Sequence, residues 1–352
     1  MTPPLRLAVA GVGNNISALL QGTYFYRGLA ERLPETEFPG VLRPRIGGLS
    51  VSDVEFVAAL DIHPDKVGRD LTAAVLTEPN NYPLLDTVVP DQGVLVEQGL
   101  VESHDDADLD RLAGRLREAG AEVLLYSLPT GLQWAADAYA EVALRAGLAF
   151  VNCTPESVAR NEDVLRRFVA AGLPLIGDDL ASHLGTSIVH RRLLQLLGER
   201  GITLESSYQL NLGGNEDFRN LREHGASKRE SKLNALAGDA ATLGKVEVIP
   251  SAGYVSHLRD NKVAYVNVEA RGWANTPVTV ELRLKVQDSS NAAGVIIDLI
   301  RVAAAAKRAG LSGYIEAVTL QLKSPAGGHH AHTDESIEAS LAALDAPLAA
   351  AV

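Results

Sequence analysis

Apolar positions along the first half of the chain recur with two alternating periods. Leu5–Ala10 is a short apolar run that ends in Gly11-Val12-Gly13-Asn14-Asn15, and residues 16–29 then place apolar side chains at helical spacing. This opening reads as strand, tight turn, helix. Residues 33–53 break the pattern with Pro34, Pro39, Pro44, Gly40, Gly47 and Gly48, which predicts an irregular excursion before a strand at 55–61. An excursion of that length is more often functional or family-specific than a plain connector. The pattern then predicts a helix at 108–118, a strand at 123–127, a helix at Gln133–Ala146, a strand at 148–152, a helix at 156–171 and a strand at 173–177. Such alternation implies a parallel sheet covered by helices, an α/β architecture of Rossmann type.

From about residue 186 the grammar changes. After a helix at 188–198, Pro277–Gln287 alternates strictly, with Val278, Val280, Leu282, Leu284 and Val286 on one face and Thr279, Glu281, Arg283, Lys285 and Gln287 on the other. A period of two marks a half-buried strand, expected to be antiparallel, with one face wet or covered by a partner. Ser289 or Asn291 is placed to cap a following helix that runs to Ala309 and stops at Gly310. The domain division expected from these patterns is 1–185 and 290–352 for one unit and 186–289 for an α+β second unit.

Composition narrows the function classes. The 352 residues carry 32 Lys+Arg against 44 Asp+Glu, a formal net charge of −12, which argues against nucleic acid or an anionic membrane as partner. The most apolar helical stretch, 292–306, is interrupted by Asp298 and Arg301. The apolar strand begins almost at once, leaving no room for a signal peptide. With Cys153 as the only cysteine no intrachain disulfide forms, so the expected location is the cytoplasm.

Several clusters carry candidate chemistry. The Gly11/Gly13 turn lets a pyrophosphate approach backbone at a helix N-terminus, although Ile16 stands where the third glycine of the usual fingerprint would be. Asp61, closing the second strand, is a candidate for ribose hydroxyls, but it follows Gly13 by far more than the usual ~20 residues. Lys228 and Lys232 share a face of a helical-looking segment at 227–236, either as solvated decoration or as a site for an anion between them. The run from Asn211 to Asp217 reads as a polar turn, either a site or an ordinary loop. Asp178 and Asp179 follow a strand and belong at the carboxyl edge of the sheet, where one of them is alternatively a helix cap. His329, His330 and His332 read as a solvated Gly-rich loop without metal-ligand spacing, and whether the chain holds a metal is left open. Cys153 has no evident His partner in the sequence that would activate it as a nucleophile.

Taken in order, these segments resemble the inositol-1-phosphate synthase family in its shorter bacterial form. The stretches are 11–26 (GVGNNISALLQGTYFY), 56–71 (FVAALDIHPDKVGRDL), 149–155 (AFVNCTP), 174–190 (PLIGDDLASHLGTSIVH), 209–220 (QLNLGGNEDFRN), 227–232 (SKRESK), 260–266 (DNKVAYV), 288–298 (DSSNAAGVIID) and 322–325 (LKSP). The resemblance implies an NAD-binding domain completed by a returning C-terminal segment, a middle catalytic and tetramerisation domain, and a homotetramer. It implies conversion of glucose 6-phosphate to inositol 1-phosphate without net redox change, through oxidation at carbon 5, enolisation, aldol closure and re-reduction.

Position by position, the resemblance assigns Lys228, Lys232, Lys262 and Lys323 as active-site lysines. Asp178, Asn211, Asp217 and Asp288 become their polar partners, and Gly11, Gly13, Asn14, Asn15 and Asp61 fall on the NAD motif, with Asp178 grouped on the cofactor side. Departures from bacterial relatives are Glu216, Arg219, Leu233 and the run Gly327-Gly328-His329-His330. They are either drift or the mark of a paralogue acting on another sugar phosphate, such as fructose 6-phosphate, which would close to a five-membered ring. A plain NAD-dependent dehydrogenase and a non-catalytic NAD-binding paralogue are the remaining alternatives.

Overall fold

The computed structural model describes residues 2–224 and 244–344. In chain order the elements are β1 (Leu5–Ala10), α1 (Asn14–Ala30), β2 (Arg45–Ile46), β3 (Leu49–Ser50), β4 (Val54–Asp61), α2 (Leu71–Ala74), β5 (Val96–Gln98), α3 (Asp106–Glu118), β6 (Val123–Tyr126), α4 (Gln133–Ala146) and β7 (Ala149–Asn152). There follow α5 (Glu162–Ala170), β8 (Pro174–Ile176), α6 (Thr186–Glu199), β9 (Thr203–Gly213), α7 (Glu216–His224), β10 (Val246–Tyr254), β11 (Asn261–Arg271), β12 (Pro277–Gln287), α8 (Asp288–Arg308), β13 (Gly313–Tyr314) and α9 (Asp334–Leu344).

Seven strands form one parallel sheet in the order β13-β8-β7-β6-β1-β4-β5. Read from β5, the first six follow the 3-2-1-4-5-6 order common among dinucleotide-binding folds, whose ligand crevice opens where the order reverses, between β1 and β6. Alternation along β1 explains the layering: Leu5, Leu7 and Val9 join a core with α1 and α8, while Ala8 and Ala10 join the opposite core with α3, α4 and α5. Helix α8 is apolar and long enough to cross a membrane by length and composition, but most of it is buried inside the protein, against α1 and the first sheet.

The second sheet runs β10-β9-β11-β12, with β9 and β10 parallel and the other pairs antiparallel. Val278, Val280 and Leu282 of β12 join the apolar cluster that also holds Leu193, Leu194 and Leu197 of α6, and α6 itself lies on the neighbouring β9 and β11. The polar face of β12 is exposed.

Some elements differ from the sequence pattern, each for a local reason. The helix expected from residue 156 begins at Glu162, because the amides of Val158, Ala159 and Arg160 are drawn to the Asp178 carboxylate and Asn161 caps the first turn. The excursion at 33–53 contains the β2–β3 hairpin. It is pinned by buried Arg301, which donates to the carbonyls of Arg43, Pro44 and Leu49 and is paired with Asp298 at 2.5 Å. Neither Ser289 nor Asn291 caps α8: Gln287 occupies the N-cap, and both side chains reach other segments. The segment from Asn211 is not all turn, since Asn211, Leu212 and Gly213 end β9. His332 is not solvated: its side chain is 7% exposed, with Nε2 2.8 Å from the Ala326 carbonyl.

Candidate active site

The glycine turn is set by its neighbours. Gly11 has φ +91°, and a Cβ there would lie 2.6 Å from the Ser127 carbonyl oxygen, so glycine is required. A Cβ at Gly13 would meet nothing within 4 Å, and Gly13 offers no side-chain cap to α1. Helix geometry leaves first-turn N–H groups without intrahelical partners, so the turn presents donors and open space to an anion.

The Val12 peptide between the glycines is clamped on both sides. Its N–H donates to Asp61 Oδ2 at 2.7 Å, and its carbonyl accepts from Lys66 Nζ at 2.8 Å and Asn80 Nδ2 at 3.1 Å. Strand pairing of Ala10 with Leu60 brings Asp61 beside the turn whatever the length of the excursion between them. Asp61 Oδ1 also accepts from the amides of Ile62 and His63. A carboxylate has about four lone-pair sites, so capacity for ribose hydroxyls remains. Asn15 Nδ2 reaches Ser127 Oγ at 3.2 Å, joining α1 to the end of β6. These residues fit a dinucleotide: a glycine cradle, a helix N-terminus and an acid at the adjacent strand end.

The N-terminus of α8 is the junction between the two sheets. Asp288 accepts from Lys262 Nζ on Oδ1 and from Asn215 Nδ2 on Oδ2, each at 3.2 Å. Ser289 Oγ donates to Asp260, Ser290 Oγ lies 2.7 Å from the Tyr82 hydroxyl, and Asn291 exchanges hydrogen bonds with the backbone of Leu184. Lys262 leaves β11 opposite Gly213 of β9, its ammonium 5.7 Å from the centre of the Phe218 ring. Phe218 packs so closely on Gly213 that any Cβ there would enter its ring.

At the carboxyl edge of β8 the two aspartates separate. Asp178 is wholly buried and accepts from Asn152 Nδ2, the amides of Val158, Ala159 and Arg160, and Arg160 Nε. Burial raises its pKa in spite of those donors. Its carboxylate thus holds the loop before α5, and it is Asp179 that meets the candidate lysine: Lys323 Nζ donates to Asp179 Oδ1 at 2.6 Å. Asn211 is buried on β9, donating to the Ile249 carbonyl and accepting from Gln209 Nε2. Asp217 lies half-buried in the first turn of α7. Lys228 and Lys232 lie outside the described residues. Cys153 is buried, which raises its pKa. Among the described residues no cluster of three His, Cys, Asp or Glu side chains is placed to hold a metal.

Sequence reasoning gave no role to Asp260, Lys66, Asn80 and Asn81, and it named Asp179 and Asn215 only within polar runs without telling which member of each run reaches the lysines or Asp288. The asparagines had a signal in Glu78-Pro79-Asn80-Asn81-Tyr82, a turn-like run where Asn14 Oδ1 accepts the amides of Asn81 and Tyr82.

The sequence pattern of the family described as "Myo-inositol-1-phosphate synthase" matches residues 185–289. Across 342 residues the chain is 40% identical to inositol-3-phosphate synthase of Mycolicibacterium smegmatis, covering 91% of this chain and 93% of that one. The chain belongs to the inositol-1-phosphate synthase family. It is also 37% identical over 346 residues to the inositol-3-phosphate synthase of Corynebacterium glutamicum, covering 92% and 94% of the two chains. Among solved structures, that of Ari2 superposes with a TM-score of 0.90 at 63% identity, over 97% of this chain and 98% of that one. The inositol-3-phosphate synthase of Caenorhabditis elegans superposes with a TM-score of 0.70 at 17% identity, over 98% and 86%, which speaks to the fold alone. Membership of the inositol-1-phosphate synthase family makes the enzyme type a cyclitol phosphate synthase.

Proposed function

We propose that the protein is an NAD⁺-dependent intramolecular aldol cyclase that converts D-glucose 6-phosphate to 1L-myo-inositol 1-phosphate. The observation that carries this reading is the pair of lysine–carboxylate contacts, Lys262–Asp288 and Lys323–Asp179, on segments that meet at the α8 N-terminus beside the glycine turn. NAD⁺, when bound, supplies the oxidation and re-reduction at carbon 5 of the sugar. Gly11, Gly13, Asn14, Asn15 and Asp61 would hold it.

The remaining tasks fall to this chain. An enolate and an aldol alkoxide need positive charge in a place shielded from water, where a fixed cation stabilises an oxyanion far better than in bulk solvent. Lys262 and Lys323 are both largely buried, with side-chain exposures of 17% and 11%, and each is aimed by a carboxylate. In this reading Lys323, with Lys228, moves the proton at carbon 6 and steadies the developing oxyanion. Lys262 and Lys232 hold the carbonyl oxygen and phosphate, and Asn211, Asp217 and Asp288 orient them.

The second reading keeps the machinery and takes D-fructose 6-phosphate. The observation behind it is the Glu216–Arg219 ion pair at 3.4 Å on α7, a pair of charges next to Asp217. Purified protein is incubated with NAD⁺ and each sugar phosphate, and the product is read by NMR. A six-membered cyclitol phosphate from glucose 6-phosphate supports the first reading, and a five-membered one from fructose 6-phosphate supports the second. Inactivity on both rejects the two together. A homotetramer is part of the proposal, with Tyr208 and Tyr265 on the outer face of the second sheet 43% and 41% exposed. A monomeric mass by light scattering at micromolar concentration would rule it out.

A further inference from the structure

The mechanism above leaves Asp260 without a task, although it sits where the two sheets join. Asp260 is 1% exposed. Its Oδ1 accepts from Ser289 Oγ at 2.5 Å and from Asn14 Nδ2 at 3.3 Å, and its Oδ2 accepts from the Ser289 amide at 3.1 Å. Its own carbonyl accepts from the Asp288 amide at 2.8 Å. One residue therefore touches the first turn of α1, the first turn of α8 and, through its backbone, the carboxylate that aims Lys262. Asn14 extends the link: it bonds Asn81, whose Nδ2 donates to the Gly214 carbonyl at the end of β9.

The donors that reach the Asp260 carboxylate are neutral: the Ser289 hydroxyl and peptide N–H and the side-chain amides of Asn14 and Asn215. Ionisable groups face it from three sides, namely Asp288 on α8, Lys262 on β11 behind Asp288, and the Tyr82 phenol held by Ser290. A carboxylate buried among neutral donors is costly, and a purely architectural role would be served as well by a neutral amide. Ionised, it accepts from all of these donors; protonated, it must itself donate and can no longer take them all.

We propose that Asp260 is a positioning residue that couples the cofactor turn to the Lys262–Asp288 pair, holding Asn14 and Ser289 in register only while it is ionised. The inference rests on the functional reading given above. Burial raises the Asp260 pKa, hydrogen bonds from Ser289 and Asn215 lower it and the Asp288 charge raises it, leaving it pushed up to about 6. Activity should therefore fall as pH drops through that value, because a protonated Asp260 no longer holds Asn14 and Ser289 in register.

The test compares the unaltered chain with Asp260→Asn and Ser289→Ala. NAD⁺ affinity is measured by calorimetric titration, and kcat is followed against pH with whichever hexose 6-phosphate the unaltered protein cyclises. Asp260→Asn is expected to bind NAD⁺ about tenfold more weakly. It is expected to lose roughly a hundredfold in kcat, since misplacing a reacting group by about 1 Å costs that much. It should also lack the acid limb near pH 6. Ser289→Ala removes a hydrogen bond to the ionised form and should move that limb to higher pH. Unchanged affinity and an unchanged pH profile in Asp260→Asn overturn the inference and leave the functional reading standing. If Asp260→Asn does not fold, an unmoved limb in Ser289→Ala overturns it alone. An unaltered chain that neither binds NAD⁺ nor forms a cyclitol phosphate overturns both.

Discussion

Lys323 Nζ donates to Asp179 Oδ1 at 2.6 Å across 144 positions of sequence, and the Lys323 amide donates to the Asp179 carbonyl at 2.7 Å. Backbone and side chain are thus fixed together, so the ammonium has little freedom to leave the carboxyl edge of the sheet. Lys323→Ala should lower kcat by ~10²–10³, the usual cost of losing one oxyanion-stabilising donor, while NAD⁺ affinity stays within a factor of a few. A parallel loss of NAD⁺ binding by calorimetry would place Lys323 on the cofactor side instead.

The two glycines of the turn should fail in different ways. Gly13→Val points its side chain into open space, so the protein should unfold at the unaltered urea midpoint yet bind no NAD⁺. Gly11→Ala puts a Cβ 2.6 Å from the Ser127 carbonyl at a positive φ, so it should lose stability by about 1–3 kcal/mol. Unchanged NAD⁺ affinity in a folded Gly13→Val protein would sink the cofactor assignment.

Five strands of the first sheet, β1, β4, β6, β7 and β8, were legible as mostly apolar runs between helices with one apolar face, whereas β5 (Val-Glu-Gln) and the two-residue β13 are too short and too polar to show a period. The second sheet was mostly not, since β9 turns Ser207, Gln209 and Asn211 inward and so hides its alternation behind polar letters. The site shows the same limit. Adjacent Asp178 and Asp179 are indistinguishable as letters, and only the fold shows that one is enclosed by the 158–160 loop while the other faces Lys323. Asp260 carries no signal of its own in the sequence, because its contacts are to Asn14 and Ser289, which are far from it in the chain.

The buried Arg301–Asp298 pair sets the cost of detaching the 33–53 excursion. Arg301 is fully buried and gives hydrogen bonds to three carbonyls of that segment, while Gln321 holds the second oxygen of Asp298. Arg301→Met leaves an uncompensated carboxylate and three carbonyls without their donor, and should cost about 3–5 kcal/mol in urea unfolding. A loss below about 1 kcal/mol would mean the excursion is held by its apolar contacts alone.

Asp260 also leaves a signature in stability. Its folded pKa of about 6 stands above the ordinary aspartate value of 3.8, so the native state binds more protons than the unfolded state between those values. Native stability from this group therefore falls as pH rises from about 4 to about 6. In Asp260→Asn that fall is absent, so the stability of the variant relative to the unaltered chain should rise over the same window by on the order of 2 kcal/mol. Urea midpoints that track each other from pH 4 to pH 7 would contradict the raised pKa.

Redox neutrality and the lysines can be tested in one set of reactions. If the oxidation at carbon 5 is reversed before product leaves, substrate deuterated at that carbon should give a cyclitol phosphate that keeps its label, and no NADH absorbance should accumulate at steady state. Lys→Ala at Lys228, Lys232 or Lys262 should each cost ~10²–10³ in turnover, and Lys→Met, of similar length but without charge, should recover none of it. The variants are expected to divide by step. Loss of a proton-moving lysine should let the cofactor become reduced without product, visible as a slow rise in absorbance at the NADH band. Loss of a lysine that holds phosphate should weaken sugar binding before any reduction. A label lost to bulk NAD⁺, or one NADH released per product, would identify a plain dehydrogenase. Bound NAD⁺ with no turnover of either hexose phosphate would identify a non-catalytic paralogue.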